Sequence, residues 1–148
     1  MSTAVQLCVL EVGGTDFAID LRRVDEIVTV PTITPVPRAP SFVEGVVKLR
    51  DEVIPVIDVR RRLGVPVRAV GPKQKRRERL VLCRVGRRRV GLVVDAVSHI
   101  IRCDLEDLRP APLTETPGRA HHVIGVQGEA PRLRLLLDVK ALLSEEPA

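Results

Sequence analysis

The chain has no tryptophan, no tyrosine and only two phenylalanines in 148 residues. Aromatic side chains are the platforms on which single-stranded nucleic acid and sugars stack, so their near absence argues against those functions. Cysteine is scarce as well. Cys8, Cys83 and Cys103 are odd in number, widely spaced and form no C-x-x-C pair. That is no disulfide framework, and it points to a reducing compartment. No apolar run approaches the roughly 18 residues that a membrane span requires, and Met1-Ser2-Thr3 lacks the charged region of a signal peptide. The expectation is a cytoplasmic protein without direct membrane contact.

Catalytic motifs are missing too. There is no G-x-S-x-G elbow, no P-loop and no H-E-x-x-H. Asp95, Ser98 and His99 lie close together, but inside one strand–turn–strand segment, and closeness in sequence is not triad geometry. His121-His122, taken with His99 and the cysteines, fits no zinc-ligand spacing and reads as a surface pair. The expectation is a non-enzyme with no cofactor and no metal.

What the chain does contain is aliphatic. Hydrophobic residues make up 45% and charged residues 29%. A core built from Val, Leu and Ile favours strands, because β-branched side chains suit a pleated, half-buried surface. The length allows one ordinary domain or two very small ones. The net charge of +5 raises the question of an anionic partner. The basic residues are spread out, however, and the two dense runs, Lys73–Arg79 and Arg87-Arg88-Arg89, read as a solvated loop and a solvated turn.

The sequence repeats itself. Leu7–Val28 lies over Leu80–Ile101 without a gap, a shift of 73, so that Gly13 meets Gly86, Ile19 meets Leu92, and Val24, Ile27 and Val28 meet Val97, Ile100 and Ile101. Val43–Leu63 lies over Val123–Leu143, a shift of 80, with Gly45 on Gly125, Asp58 on Asp138 and Leu63 on Leu143. In the first unit, strands are expected over Gln6–Val12, Phe17–Leu21, Val24–Val30, Val43–Leu49 and Glu52–Ile57, with Gly13-Gly14 inside a longer hairpin loop. Pro31, Pro35, Pro37 and Pro40 keep the segment before the fourth strand out of a sheet interior. Asp58 is placed to cap a helical turn, Val59–Leu63, that Gly64 ends; Asp138 does the same for Val139–Leu143. Asp20, Asp58, Asp95 and Asp138 all end apolar runs, which suits turns and caps better than acid–base chemistry. Five short strands returning on themselves form a small barrel. The fold class expected is therefore all-β, two tandem five-stranded barrels side by side. Unit one covers about 6–64, a basic linker about 65–79 and unit two about 80–144.

Five motifs in order resemble the CheW-like family of chemotaxis coupling proteins over nearly the whole chain. They are Phe17-Ala18-Ile19-Asp20 with Val24-Asp25-Glu26-Ile27, Phe42–Arg50, Val53–Arg60, Val90–Ser98 and Leu108-Arg109-Pro110-Ala111-Pro112. The resemblance implies SH3-like barrels related by pseudo-symmetry and no catalytic activity. It also implies two partners: the regulatory domain of a CheA-type histidine kinase and the cytoplasmic helical hairpin of a chemoreceptor. Carried over residue by residue, it assigns Arg50 to receptor coupling, pairs it with Glu26, and puts Val24 and Ile27 on the same surface or just beneath it. Two residues depart from the family pattern: Lys48 stands where Asn is usual, and Asp51 where Gly is usual. Asp tolerates a left-handed backbone, so the turn at Asp51 is expected to survive. An enzyme with an unrecognised site is set aside for want of a convergent set of groups, and three alternatives stay open. One is an adaptor of a system that does not steer flagella, another is an adaptor that binds only receptor or only kinase. The third is a nucleic-acid-binding pair of barrels, which Asp104, Glu106 and Asp107 argue against and steep salt dependence would mark.

Overall fold

A computed structural model of the chain describes residues 3–65, 71–110, 122–129 and 131–143. Ten strands run in the order β1 (Ala4–Val12), β2 (Thr15–Asp20), β3 (Val24–Val28), β4 (Val43–Leu49), β5 (Glu52–Asp58), β6 (Arg79–Val85), β7 (Arg88–Val94), β8 (Ala96–Asp104), β9 (Val123–Gln127) and β10 (Arg134–Leu137). Among the described residues three short α-helices accompany them: α1 (Val59–Leu63), α2 (Pro72–Arg77) and α3 (Val139–Leu142).

The strands form two five-stranded sheets, as the all-β reading expects, but the halves of the chain do not each make their own. One sheet has the order β8-β1-β2-β10-β9 and the other β3-β6-β7-β5-β4. The hairpin β1-β2 has left its own half to join β8–β10, and β6-β7 has joined β3–β5. If β1–β5 are matched in order to β6–β10, the first sheet's neighbour list becomes the second's, so the exchange is reciprocal. Sequence patterns set hairpins locally, but two similar halves offer each hairpin two equivalent docking sites. Nothing local decides between them, and the side-by-side tandem arrangement is corrected on this point.

The burial pattern explains why the hairpins sit centrally. Leu7-Cys8-Val9-Leu10 on β1 and Leu80-Val81-Leu82-Cys83 on β6 are unbroken apolar runs, buried on both faces. Cys8, Leu10, Val81 and Cys83 belong to a core that also takes Phe17 and Ile19 from one sheet, Ile57 and Leu92 from the other and Leu63 from α1. On their opposite faces, Leu80 and Leu82 pack with Val47, Ile54, Val56 and Val93 inside the second barrel. Strands buried on both sides are continuously apolar rather than alternating.

Among the described residues a short backbone bridge closes each barrel. Thr34 and Val46 exchange hydrogen bonds at 2.8 Å each, and Arg109 and Val126 do so at 3.0 and 2.9 Å. Gly45, with φ 156°, allows the first closure, since a Cβ there would stand 2.3 Å from the Thr34 carbonyl oxygen.

The caps form as the sequence indicates. An Asp58 carboxylate oxygen accepts from the Arg60 N–H at 2.9 Å, and Gly64 ends α1 in the left-handed region with φ 70°. Asp138 accepts from the N–H groups of Lys140 and Ala141. Other expectations change. The Gly13-Gly14 loop is a two-residue turn with both φ values positive, because β2 begins two residues early, at Thr15. β3 stops at Val28. The basic run after the first half is not a loop: Pro72 stands in the first turn of α2, where its missing N–H costs nothing, and Lys-Gln-Lys-Arg-Arg are good helix formers. His122 is buried rather than on the surface; His121 lies outside the described residues, as do Ala111 and Pro112 of the fifth motif.

Candidate functional site

β4 and β5 are joined by the two-residue turn Arg50-Asp51, with Leu49 and Glu52 paired across it. The left-handed residue of this turn is Arg50, with φ 57°, not Asp51. From this exposed position the Arg50 guanidinium reaches β3. Its Nη2 donates to Glu26 Oε1 at 2.7 Å and its Nη1 to Glu26 Oε2 at 3.2 Å. Such a two-pronged pair fixes orientation as well as distance. Arg50 holds the Glu26 carboxyl below its ordinary value of 4.5, so the pair stays ionised as pH falls to that value and is lost only below it.

The pairing of Arg50 with Glu26, separated by 24 residues, is the contact the sequence comparison of motifs anticipates. Ile27 follows on the same strand with 39% of its surface exposed. Val24 is half-buried and packs against the shared core. Lys48 and Asp51 are both exposed on the same hairpin.

Sequence reasoning misses Arg89. Its place among three arginines reads as a solvated turn, yet its side chain is only 19% exposed and lies among three carboxylates. Nη1 donates to Glu52 at 2.7 Å, Nε lies 3.3 Å from Asp25, and Nη2 lies 3.7 Å from Glu26. Asp25 also accepts from Arg84 at 3.1 Å. The signal was available only in three dimensions, since β3, β5 and β7 meet here from distant parts of the chain.

A second charged set sits at the junction of the barrels. Arg60, 11% exposed, binds Asp58 at 3.0 Å and Asp95 at 3.0 Å, and lies 3.6 Å from Glu78. Asp95 stands where the chain passes from β7 to β8, and it accepts from the Gly13 N–H at 2.7 Å. It is therefore committed to the junction and does not orient His99, whose Nδ1 lies 2.8 Å from the hydroxyl of neighbouring Ser98. Among the described residues no group of His, Cys, Asp and Glu is arranged to hold a metal ion. No helix among them is long and apolar enough to cross a membrane.

Two five-stranded barrels with exchanged hairpins define a class: an all-β domain of paired small barrels. Comparison with known proteins makes the class specific. The model of the CheW-like domain matches residues 6–147. The chain is 29% identical to the chemotaxis protein CheW of Klebsiella aerogenes, over 95% of this chain and 82% of that protein. It is 32% identical to the chemotaxis protein CheW of Rhizobium meliloti, over 95% and 88%. It is 35% identical to protein FrzA of Myxococcus xanthus, over 78% and 69%. The crystal structure of the scaffolding protein TtCheW from Thermoanaerobacter tengcongensis superposes with a TM-score of 0.84 at 26% identity, covering 97% of this chain and 89% of that one. The chain belongs to the CheW-like domain family, and like the family it is a non-catalytic adaptor of the chemotaxis type.

Proposed function

We propose that the chain is a cytoplasmic coupling protein that joins the cytoplasmic helical hairpin of a chemoreceptor to the regulatory domain of a CheA-type histidine kinase in a receptor array. We place the receptor contact on the second barrel, at Arg50, Glu26 and Ile27, with Val24 beneath them. The observation that carries this reading is the two-pronged Arg50–Glu26 pair, presented from a left-handed turn residue. Backbone outliers of this kind gather at functional sites, where the surrounding structure holds them in place. Ile27 is exposed one residue along β3 from the carboxylate that holds Arg50; an amphipathic helix can cover Ile27 with an apolar group and meet Arg50 with an acidic one. Such charges govern orientation and rate of encounter more than raw affinity.

The test is binding of the purified chain to the kinase regulatory domain and to a receptor hairpin fragment from the same organism. Interferometry suits it, because the chain has neither Trp nor Tyr to follow. Saturable binding to both supports coupling. Binding to one alone makes the chain a one-armed adaptor, and binding to neither removes the reading.

A second reading concerns the kind of receptor. Asp51 adds a negative charge beside Arg50, and Lys48 a positive one on the same exposed hairpin. We infer a variant receptor, or a chemosensory system that does not steer flagella. Asp51→Gly then changes affinity for the receptor hairpin; unchanged affinity sinks the idea.

A further inference from the structure

We propose that Arg89 is the positioning residue of the Arg50 site: it fixes Glu26 and the β4–β5 turn together, and so aims Arg50 at an acidic group on the partner. The inference rests on the reading of that site given above.

Arg50 is poorly constrained by its own surroundings. Its side chain is 67% exposed, and it stands on a two-residue turn. A long, flexible cation in that setting samples many rotamers, and an isolated surface pair does little to stop it. What restrains it is Glu26, but Glu26 is itself a flexible side chain, 31% exposed, on an outer strand of its sheet. Something must hold the holder. Arg89 enters from β7, nearer the middle of the sheet, with its side chain largely covered. One arm reaches toward Glu26 at 3.7 Å; another bonds Glu52 at 2.7 Å, two residues past Arg50. Arg89 thus grips both ends of the device, the carboxylate that binds the Arg50 head and the strand that carries the Arg50 backbone. Asp25, held between Arg89 and Arg84, anchors β3 on the far side of Glu26. Arg50, Arg84 and Arg89 face Asp25, Glu26 and Glu52, three charges against three. Networks of this kind order side chains where single surface pairs do not. A planar guanidinium is required at the hub, since a lysine ammonium is a point charge without the fork that spans separate carboxylates.

The matching barrel offers a control within the same molecule. In the 73-residue register Glu26 meets His99 and Arg89 meets Asp16, and in the 80-residue register Arg50 meets Ala130. The ionic device is therefore a property of one barrel and not of the fold.

The experiment is a double-mutant cycle on the full chain, read by affinity for the receptor hairpin fragment. Arg50→Ala is expected to weaken binding about tenfold or more, the scale of a central contact. Arg89→Gln is expected to weaken it about fivefold when Arg50 is present and not at all in the Arg50→Ala background, because an interaction that works through Arg50 vanishes with it. Arg89→Lys falls between wild type and Arg89→Gln. A second readout needs no partner: the Arg50 Nε–H signal in nitrogen-edited NMR is sharp in the wild type and broadened in Arg89→Gln. Equal weakening by Arg89→Gln with and without Arg50 overturns the proposal, as does wild-type binding by Arg89→Gln while Arg50→Ala is impaired. Wild-type binding by Arg50→Ala instead overturns the reading of the receptor site on which the proposal rests; an unchanged Arg50 signal in Arg89→Gln then refutes the ordering role by itself.

Discussion

The helical turns after β5 and β10 are built from one plan and placed in different surroundings. Asp58 caps α1 and Asp138 caps α3, each accepting from the backbone N–H two residues on. Two residues past each cap stands a cation, Arg60 in one case and Lys140 in the other. Arg60 is largely covered among Asp58, Asp95 and Glu78, whereas Lys140 is exposed. A backbone motif can thus be duplicated while the charge network attached to it is not. Arg62 Nε donates to the carbonyl of Leu142, the residue at its own matched position, so the two turns lie against each other across the axis relating the halves. Among the described residues only one copy supplies an ionic lock at that seam. It joins α1, the β7–β8 crossing and the β1–β2 turn, elements that belong to both barrels.

The comparison is broken most completely by separating the halves. Because each barrel borrows a hairpin, a fragment of residues 1–70 lacks β6-β7 and exposes the apolar faces meant for them. It is expected to be unfolded alone by circular dichroism and to regain strand signal when mixed with 71–148. A strand-rich, cooperatively melting 1–70 fragment would refute the exchanged topology.

The next largest effect is expected from the lock. Arg60→Met leaves three carboxylates facing one another at the junction, and removing one partner from a buried ionic cluster costs about 3 kcal/mol or more. Lys140→Met is expected within about 0.5 kcal/mol of wild type, as for ordinary surface changes. Urea denaturation followed by circular dichroism measures both, and equal effects would remove the distinction between the seams. The caps differ in the same sense by a smaller amount. Asp138→Ala is expected to cost about 1 kcal/mol, the usual value of a lost cap, while Asp58→Ala costs more because it also deprives the largely covered Arg60 of a partner. The ratio of the two unfolding free energies is the check.

The smallest effect concerns the strands buried on both faces. Cys83 on β6 has its thiol pushed up to about 12, chiefly by burial, and burial raises Cys8 on β1 as well. Cys103, on β8, is only half-buried. At pH 8 a thiol reagent is expected to modify Cys103 alone in the folded chain and all three cysteines in denaturant. Mass spectrometry after timed labelling reads the outcome, and rapid folded-state labelling of Cys83 would contradict the packing.

Most of the elements were legible in the sequence, α2 excepted, which read as a basic loop. Strand positions, the caps at Asp58 and Asp138 and the helix stop at Gly64 follow from local turn chemistry and apolar patterning, which act over a few residues. The pair Arg50–Glu26 was legible through its motifs. The hairpin exchange was not, because two similar halves offer equivalent pairings and local chemistry cannot choose between them. Nor was Arg89, which reads as one of three arginines in a turn until β3 and β5 bring Asp25, Glu26 and Glu52 around it. The left-handed residue at Arg50 was hidden for a different reason. Turn preference favours Asp at such a position, and the tertiary geometry of this hairpin overrides it by one residue.

The claim at the centre of the account is that this chain physically joins receptor to kinase through a site on the second barrel. The most direct test is co-sedimentation of a CheA-type kinase with vesicles that carry chemoreceptor cytoplasmic hairpins, with and without the purified chain. The account predicts that the kinase pellets with the vesicles only when the chain is present, and that Arg50→Ala abolishes most of that recovery while leaving kinase binding in solution intact. Equal recovery of kinase without the chain, or full recovery with Arg50→Ala, would contradict it.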